Sequence, residues 1–329
     1  MNKDLNKNSE ELARDLESRE MSNQTTEATE DQTSKMEEAL DKEGLGSINM
    51  DRFKPDTAVA PDLALGWHDV PLDSLPSYGR FYPTDTIIKI RSAKVAEIRH
   101  FSTMDENNLL DIDDKLNAIV ESCTRVTAKT SRVSYKDLCE EDRFILILAI
   151  RDLTFPEPEN KLKVDWSNSK GKNHEVEIKR EHFQYFDVPA DIEKYYDEEH
   201  RAYLVKTKTY GDIIMKPPSI GVMREITTYI KERRDKGQEI DQSLLQIAPF
   251  VASDWRTFSQ KRLWELEVEM NGWDNKKYLL LYKLAEKLKI GIQPEMKVMI
   301  EEEEASIPIN FRDGIKSLFI VQDLSGELL

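Results

Sequence analysis

The feature that most limits how this chain can fold is an uninterrupted apolar run near its middle. The run directly follows Asp142-Arg143 and reads Phe144-Ile145-Leu146-Ile147-Leu148-Ala149-Ile150. A helix that is apolar on every side has to be covered on every side, so we expect it to be the most buried helix of the protein. Phe155-Pro156 ends it, because proline cannot continue a helix.

The start of the chain has the opposite character. Residues 1–50 contain 13 acidic and 6 basic side chains, and the first aromatic residue is Phe53. Such a segment cannot bury enough apolar surface to offset the entropy lost on ordering. We predict a disordered acidic tail over residues 1–60. The whole chain has a net charge of -16, which repels nucleic acid and anionic membranes unless basic groups cluster on one face.

Residues 61–202 alternate between strand-like and helix-like patterns. Ile87–Arg91 alternates in part between apolar and polar residues, which predicts a strand. Ser92 and Asp113 each stand where a helix cap is expected, ahead of apolar residues at helical spacing. Residues 161–180 predict a β-hairpin around the polar turn Ser167–Asn173.

From residue 203 onward the same order of patterns recurs. A predicted strand at Ile213–Lys216 is followed by a helix that Ser219 precedes and by a pair of helices, the second capped by Asp274. A second hairpin is predicted around the acidic turn Glu301–Glu304. The order suggests that one unit of strand, helices and hairpin occurs twice.

The spacing of matching positions supports this duplication. Lys89 and Lys216 are 127 residues apart, and Phe186 and Phe319 are 133 apart. We therefore predict an α+β fold after the acidic tail. It comprises two related modules of helices with small antiparallel β-hairpins, residues 61–202 and residues 203–329.

No motif in the sequence predicts catalysis. Asp111–Asp114 resembles the start of a calcium loop, but Leu116 and Ser122 stand where glycine and glutamate are needed. The acidic start of a helix explains these residues better. Ser167–Lys170 matches the pattern S-x-x-K, but it falls in a predicted hairpin turn and lacks the accompanying motifs. No phosphate-binding glycine loop is present, and we expect no catalytic residue and no cofactor.

Metal and membrane sites are not indicated either. Cys123 and Cys139 are too few for a disulfide framework or a four-cysteine zinc site, so we expect two reduced, mostly buried thiols. His174 and His182 are more simply solvated histidines than metal ligands. No apolar run approaches the length of a membrane span, and the polar N-terminus is unlike a secretory signal.

A cluster of basic residues surrounds the first hairpin and Trp166. It comprises Lys161, Lys163, Lys170, Lys172, Lys179 and Arg180. The cluster gives an alternative function, that of an acidic adaptor protein that binds nucleic acid through the hairpin at residues 161–180. We prefer a solvated hairpin or a contact with an acidic partner, because the whole chain is acidic.

One segment resembles a known family. Leu75-Pro76-Ser77, Gly79 and Phe81-Tyr82-Pro83 are similar to the LPSkGlfYP start of baseplate proteins from T-even-like contractile-tailed bacteriophages. Asp142-Arg143-Phe144-Ile145-Leu146, followed by Ile150-Arg151, resembles the DR-x-x-L-L-x-x-R helix of the same family. The resemblance covers mainly Leu63–Phe186.

The chain departs from the family at its first hairpin. Related phage sequences often carry a zinc knuckle, C-P-x-C-G, at this place. Here Ser167 and Lys170 occupy the likely ligand positions and Gly171 remains. Serine and lysine cannot replace two thiolates, so we expect no metal.

The resemblance implies a non-enzymatic structural or assembly component of a phage tail baseplate hub. Its expected partners are other tail and baseplate hub proteins, with no membrane and no nucleic acid, while self-association is left open. Its expected location is the virion tail baseplate, or the cytoplasm of the infected bacterium during assembly. An enzyme that uses distant residues such as Asp142, Glu141 and His100 is the third class considered.

The candidate contact residues lie mainly in the turn that carries the resemblance. Pro76 fixes one φ angle and Gly79 permits a positive one, so the chain can reverse tightly. The turn either exposes aromatic anchors for a partner or is a buried corner of the fold, and composition does not separate these. The candidates are Leu75, Pro76, Tyr78, Gly79, Phe81, Tyr82, Pro83 and Trp166.

Overall fold

The computed structural model describes residues 66–157, 160–167, 171–252, 254–300, 303–311 and 314–320. Within these ranges the chain combines α-helices with small antiparallel sheets, which confirms the mixed α+β class. The predicted tail, residues 1–60, lies outside the described residues.

The first part of the fold is a three-stranded antiparallel sheet with helices around it. Its elements are β1 (His68–Val70), β2 (Ile87–Ile90), α1 (Val95–Ser102), α2 (Leu109–Cys123), β3 (Thr124–Thr127) and α3 (Arg143–Thr154). The sheet has the order β1-β2-β3, with Val70 opposite Ile88 and Ile88 opposite Val126. All three are buried, so one row of apolar side chains crosses the sheet on its core side.

Helix α3 confirms the prediction made from the apolar run. Every residue from Ile145 to Arg151 is buried, and the helix ends directly before Phe155-Pro156. Arg151 brings a charge into this environment. Its Nη2 donates a hydrogen bond to the carbonyl oxygen of Asn160 at 2.6 Å, and its guanidinium lies 5.6 Å from the centre of the Phe155 ring.

Two predicted helix starts are wrong. Helix α1 begins after Lys94 rather than Ser92, and α2 begins after Asn108 rather than at Asp113. The amide oxygen of Asn108 accepts hydrogen bonds from two backbone N–H groups of the first turn, at 3.1 and 3.4 Å, so those donors are already satisfied. Asp113 lies inside α2, where its carboxylate pairs with Arg143 of α3.

The predicted first hairpin is present. Strands β4 (Lys163–Ser167) and β5 (Asn173–Glu177) pair with Val164 opposite Val176, and both valines are buried. Residues 168–170 of the predicted turn lie outside the described residues. Strand β6 (Phe183–Tyr185) follows the hairpin.

The next part of the chain is mainly helical. Its elements are α4 (Ala190–Glu193), β7 (Tyr196–Asp197), β8 (Ala202–Thr207), β9 (Gly211–Met215), α5 (Ile220–Asp235), α6 (Gln242–Val251), α7 (Gln260–Asn271) and α8 (Asn275–Lys287). Ser219 and Asp274 cap α5 and α8 as predicted, through hydrogen bonds of 3.3 and 2.8 Å to backbone N–H groups. Helix α6, capped by Asp241, was not predicted.

The last hairpin is formed by β10 (Ile292–Ile300) and β11 (Glu303–Pro308). The hairpin is present as predicted, but its turn is shorter, because Glu304 pairs with Met299 inside the ladder. Glu301 and Glu302 lie outside the described residues. Strand β10 also pairs with β6, which makes a sheet of order β11-β10-β6.

Buried apolar residues form two clusters. The first contains residues from 70–183 together with Ile220 and residues from 290–319, and the second contains residues from 192–288. Apolar packing therefore divides the chain elsewhere than at residue 202, since the last hairpin joins the first cluster through β6. The duplication of residues 61–202 in residues 203–329 stays a prediction.

Candidate functional site

Residues 75–83 make a tight corner between β1 and β2. Three hydrogen bonds of 2.9 to 3.1 Å link backbone N–H groups to carbonyl oxygens three residues earlier, from Leu75 to Tyr82. Tyr78 and Gly79 have φ angles of 51° and 72°. A Cβ atom on Gly79 would lie 2.8 Å from Cβ of Leu72, so both the angle and the space favour glycine. The turn predicted from proline and glycine is present.

The corner is attached to the start of α3 by the carboxylate of Asp142. This side chain is buried completely, at 0% exposure. Its Oδ1 accepts from the backbone N–H of Ser77 at 2.8 Å, and its Oδ2 accepts from the Ser77 hydroxyl at 2.5 Å and from the Tyr82 hydroxyl. The Tyr82 hydroxyl in turn accepts from the backbone N–H of Cys139 at 2.8 Å. Each oxygen of the buried carboxylate is thereby hydrogen-bonded.

Burial shifts the titration of both groups in this network. It raises the pKa of Asp142 to about 6, although hydrogen bonds from Ser77 and Tyr82 act in the opposite direction. Burial and the neighbouring Asp142 charge raise the pKa of Tyr82 well above its usual value. Tyr82 is therefore a donor to a carboxylate that is mainly ionised at neutral pH, and these bonds are charge-assisted. The polar atoms of Asp142, Ser77 and Tyr82 in this network therefore hold the corner against the start of α3.

The candidate contact residues of the corner fall into two groups. The buried ones are Leu75, Pro76 and Tyr82, and the partly exposed ones are Gly79, Phe81 and Pro83. Tyr78 is exposed at 48%, and its ring packs edge-on against Tyr185 with centroids 6.2 Å apart. Most of the turn is therefore buried or half-buried in the fold, and Tyr78 is the aromatic residue of the turn that is exposed to solvent.

The corner also contacts both apolar clusters. Phe81 packs against each of them, with its ring 6.1 Å from the rings of Tyr196 and Tyr203. Arg80 forms an ion pair with Glu193 and lies 4.0 Å from the centre of the Tyr196 ring. The Tyr196 hydroxyl donates to the carbonyl oxygen of Arg80 at 2.6 Å. The corner therefore joins the part of the fold around α3 to the part around β8.

One cavity adjoins this corner, and a second, larger cavity shares two lining residues with it. A cavity of about 280 Å³ is lined by corner residues including Tyr78 and Phe81, and one of about 410 Å³ lies between α6, α8 and the turn before α3. Phe186 and Ile290 line both. We call the two cavities together the corner groove. Phe186 is 43% exposed beside it, and sequence reasoning found neither wall residue as part of a site, because they are 104 positions apart.

The edge of the corner groove is acidic. Glu140, Glu141, Asp187 and Glu286 line it, together with Lys289. Glu140 is 16% exposed and pairs with Arg143 of α3 at 2.5 Å through Oε1, while its buried Oε2 has no hydrogen-bond partner among the described residues. Burial raises the pKa of Glu140 to about 7.

These raised pKa values predict that the free energy of unfolding falls as pH rises. In the folded state the pKa is about 7 for Glu140 and about 6 for Asp142, against ordinary values of 4.5 and 3.8. At pH values between the ordinary and the folded-state pKa of each group, the folded state therefore binds more protons than the unfolded state. The stabilisation is fully present below the ordinary values and is lost as pH rises through the folded ones. Replacing Glu140 with glutamine should flatten the slope by about 1 kcal/mol per pH unit between about pH 5 and 7.

Urea unfolding at successive pH values measures this slope. Glu232→Gln is the matched control, because that side chain is half exposed on α5. We expect the control to keep the wild-type slope. A Glu140→Gln variant whose slope equals that of the wild type would contradict the burial effect.

A third cavity, of about 220 Å³, lies on another side of the corner and is polar. Arg256 lines it and donates to both oxygens of Asp137 at 2.7 and 2.8 Å and to Asp254 at 3.1 Å. Lys216 also lines it, and burial lowers the pKa of that amine. The charge of Arg256 is thus already balanced by the carboxylates of Asp137 and Asp254.

The remaining sequence candidates lie apart from the corner. Trp166 is half-buried on β4, where its ring lies 5.8 Å from that of His174. His100 is exposed on α1, and no contact joins it to Asp142 within the described parts of the chain. Cys123 and Cys139 are free and buried, as predicted, and burial raises the pKa of Cys123 to about 12.

Three of the six basic residues around the first hairpin are paired with neighbouring acids. These three lysines lie 2.7 to 3.9 Å from a carboxylate oxygen, in the pairs Lys163–Glu175, Lys161–Asp152 and Lys179–Glu177. Lys172 also has a partner, and Lys170 lies outside the described residues. These three ion pairs reduce the positive charge that the hairpin presents.

No group of histidine, cysteine and carboxylate side chains that could hold a metal ion is found among the residues that the structure describes. The same part of the chain has no helix with the length and apolar character needed to cross a membrane. Comparisons of the chain with protein-family models, with curated proteins and with solved structures find no match in any of the three.

Proposed function

We propose that this protein is a non-enzymatic structural or assembly component of a contractile phage tail baseplate hub. The observation that supports the proposal most is the attachment of the corner to α3. The two stretches that resemble baseplate proteins are Leu75–Pro83 and Asp142–Arg151, and Pro83 and Asp142 are 59 residues apart in the sequence. Asp142 nevertheless joins them in one buried hydrogen-bond network.

The chemistry around the corner favours contact over catalysis. The side chains of Asp142, Ser77 and Tyr82 are all buried and hydrogen-bonded together. A catalytic site needs a reacting group that faces a substrate cavity. Glu140 and Glu141 do line the larger cavity, and burial raises the pKa of both, but Glu140 is ion-paired with Arg143 and Glu141 is exposed. The outward apolar groups, Tyr78 and Phe186, suit binding to a protein partner.

In this proposal the partners are other tail and baseplate hub proteins. The location is the virion tail, or the cytoplasm of the infected bacterium while tails assemble. The duplication of residues 61–202 in residues 203–329 belongs to the same proposal, and the shared order of strand, helices and hairpin supports it. The ion pairs of the basic hairpin weigh against the alternative of a nucleic-acid adaptor.

Quantitative mass spectrometry of purified phage particles beside the lysate that produced them tests the proposal. We expect the protein either at a fixed ratio to other tail proteins, as a baseplate subunit, or abundant in the lysate and absent from particles, as an assembly chaperone. In the second case it should co-purify with tail intermediates. The proposal would be overturned if the organism that makes this protein produces no phage particles. It would also be overturned if the protein is absent from particles and co-purifies with no tail protein from the lysate.

A further inference from the structure

We propose that the corner groove binds a segment of a partner protein in which large apolar side chains stand beside lysine or arginine. This inference rests on the proposed function, because it assigns the chemistry of the partner that a contact protein of this kind would bind. Three properties of the groove carry it: its shape, its exposed aromatic rings and its charge.

The shape suits several side chains of an extended or helical segment. The larger cavity, of about 410 Å³, falls in the range of about 300–1,000 Å³ that is typical of binding pockets. Its walls are apolar side chains from separate elements, among them Leu245 and Pro249 of α6, Ala285 of α8 and Ile290. Phe186 and Ile290 line both cavities, so the apolar surface continues from the larger cavity to the one beside the corner.

Two large rings stand partly in solvent along this path. Tyr78 borders the smaller cavity at 48% exposure, and Phe186 borders both at 43%. Tyr78 is held there by a backbone φ of 51°, a conformation that non-glycine residues rarely adopt. Aromatic groups beside an apolar cavity supply most of the binding free energy at protein interfaces.

The charge of the groove selects a cationic partner. Three of its lining carboxylates, those of Glu141, Asp187 and Glu286, have no ion pair among the described residues, and Lys289 is the unpaired cation there. Glu140 is paired with Arg143 and does not count toward this charge. The other lining pair, Arg80 and Glu193, neutralises itself. Glu141, Asp187 and Glu286 are exposed at the edge of the cavity, so they attract a cation through their combined field, while the apolar walls supply the contact area.

The same charge disfavours other occupants. A second copy of this chain would bring a net charge of -16 toward an acidic surface, and a nucleic acid would bring phosphates. A basic amphipathic segment combines attraction to the carboxylates with apolar groups for the walls. Such a segment also associates faster with an acidic surface, because the electrostatic field steers it.

A selection from random peptides of about twelve residues, long enough for about three helical turns, tests the inference without assuming a partner sequence. The full chain is the target, and the Phe186→Ala variant is the counter-selection. We expect the peptides retained only by the wild type to be enriched in lysine, arginine and large apolar residues. Their affinity should fall at least about tenfold in Phe186→Ala.

Charge reversal gives a second, independent variant. Glu286 is exposed on α8, so Glu286→Lys should fold, which its melting temperature verifies, and should weaken the same peptides at least about tenfold. Glu232→Lys, on the exposed face of α5, is the matched control and should leave their affinity unchanged. Enrichment of acidic peptides, no Phe186-dependent peptides, or equal binding by the two charge variants would overturn the inference.

These outcomes are separable from those of the proposed function. If the protein is found with tail proteins but no Phe186-dependent peptide emerges, the proposed function stands and the groove assignment falls. If basic peptides bind the groove but the protein meets no tail protein, the groove assignment stands and the phage proposal falls.

Discussion

Replacing Asp142 with alanine is expected to lower the free energy of unfolding by about 3 kcal/mol. The substitution leaves three buried donors without their acceptor, namely the N–H and hydroxyl groups of Ser77 and the hydroxyl of Tyr82. Each unsatisfied buried donor costs about 1–3 kcal/mol. Loss of the desolvated charge offsets part of this sum, because burial alone disfavours the ionised carboxylate. Urea unfolding followed by circular dichroism measures the change.

Two further variants make this result specific. Asp152→Ala changes the same residue type inside α3, the helix that Asp142 directly precedes. The Asp152 side chain is 51% exposed and lies 3.6 Å from Lys161, so we expect a change within about 0.5 kcal/mol. Asp142→Asn keeps the shape but turns one acceptor into a donor that faces other donors. We expect it to be nearly as destabilising as alanine. An asparagine variant as stable as the wild type would contradict the hydrogen-bond network.

Replacing Gly79 with alanine is expected to destabilise the protein by about 2–3 kcal/mol. One part is the cost of about 1–2 kcal/mol for a non-glycine residue at a φ of 72°. The other part is steric, because the added Cβ would lie 2.8 Å from Cβ of Leu72. A thermal or urea melt of the variant measures the sum.

Gly211→Ala separates the two parts. Gly211 has a φ of 73° but nothing within 4 Å of an added Cβ, so it carries only the conformational cost. We expect Gly79→Ala to be the more destabilising of the two by about 1 kcal/mol or more, which is the strain of overpacking against Leu72. Equal losses in the two variants would show that the corner is not tightly packed there.

Local interactions made parts of the fold predictable from sequence. The apolar run predicted α3 because a helix with no polar face has one outcome, burial. Ser219 and Asp274 predicted two helix starts, because a cap acts on backbone groups two or three residues away. The prediction that Asp113 caps α2 was wrong because the interaction that Asp113 makes is not local. Its partner, Arg143, is 30 residues away and comes close only when α2 packs against α3.

The candidate site was predictable in outline only. Pro76 and Gly79 indicated a tight turn, since their backbone preferences are local. They did not indicate which side of the turn is buried, because that depends on Asp142, 65 residues beyond Ser77. The corner groove depends on longer separations still, since β6 and β10 bring Phe186 close to Ile290 only after they pair. A pairing over such a distance leaves no local signature in the sequence.

The central claim is that Leu75–Pro83 and the start of α3 act as one unit through Asp142, and a double-mutant cycle tests it most directly. The free energy of unfolding is measured for the wild type, Ser77→Ala, Asp142→Ala and the double variant. Ser77 and Asp142 are hydrogen-bonded at 2.5 Å, so we expect a coupling energy of about 1–2 kcal/mol between them. Additive effects, with a coupling energy within about 0.3 kcal/mol of zero, would contradict the claim.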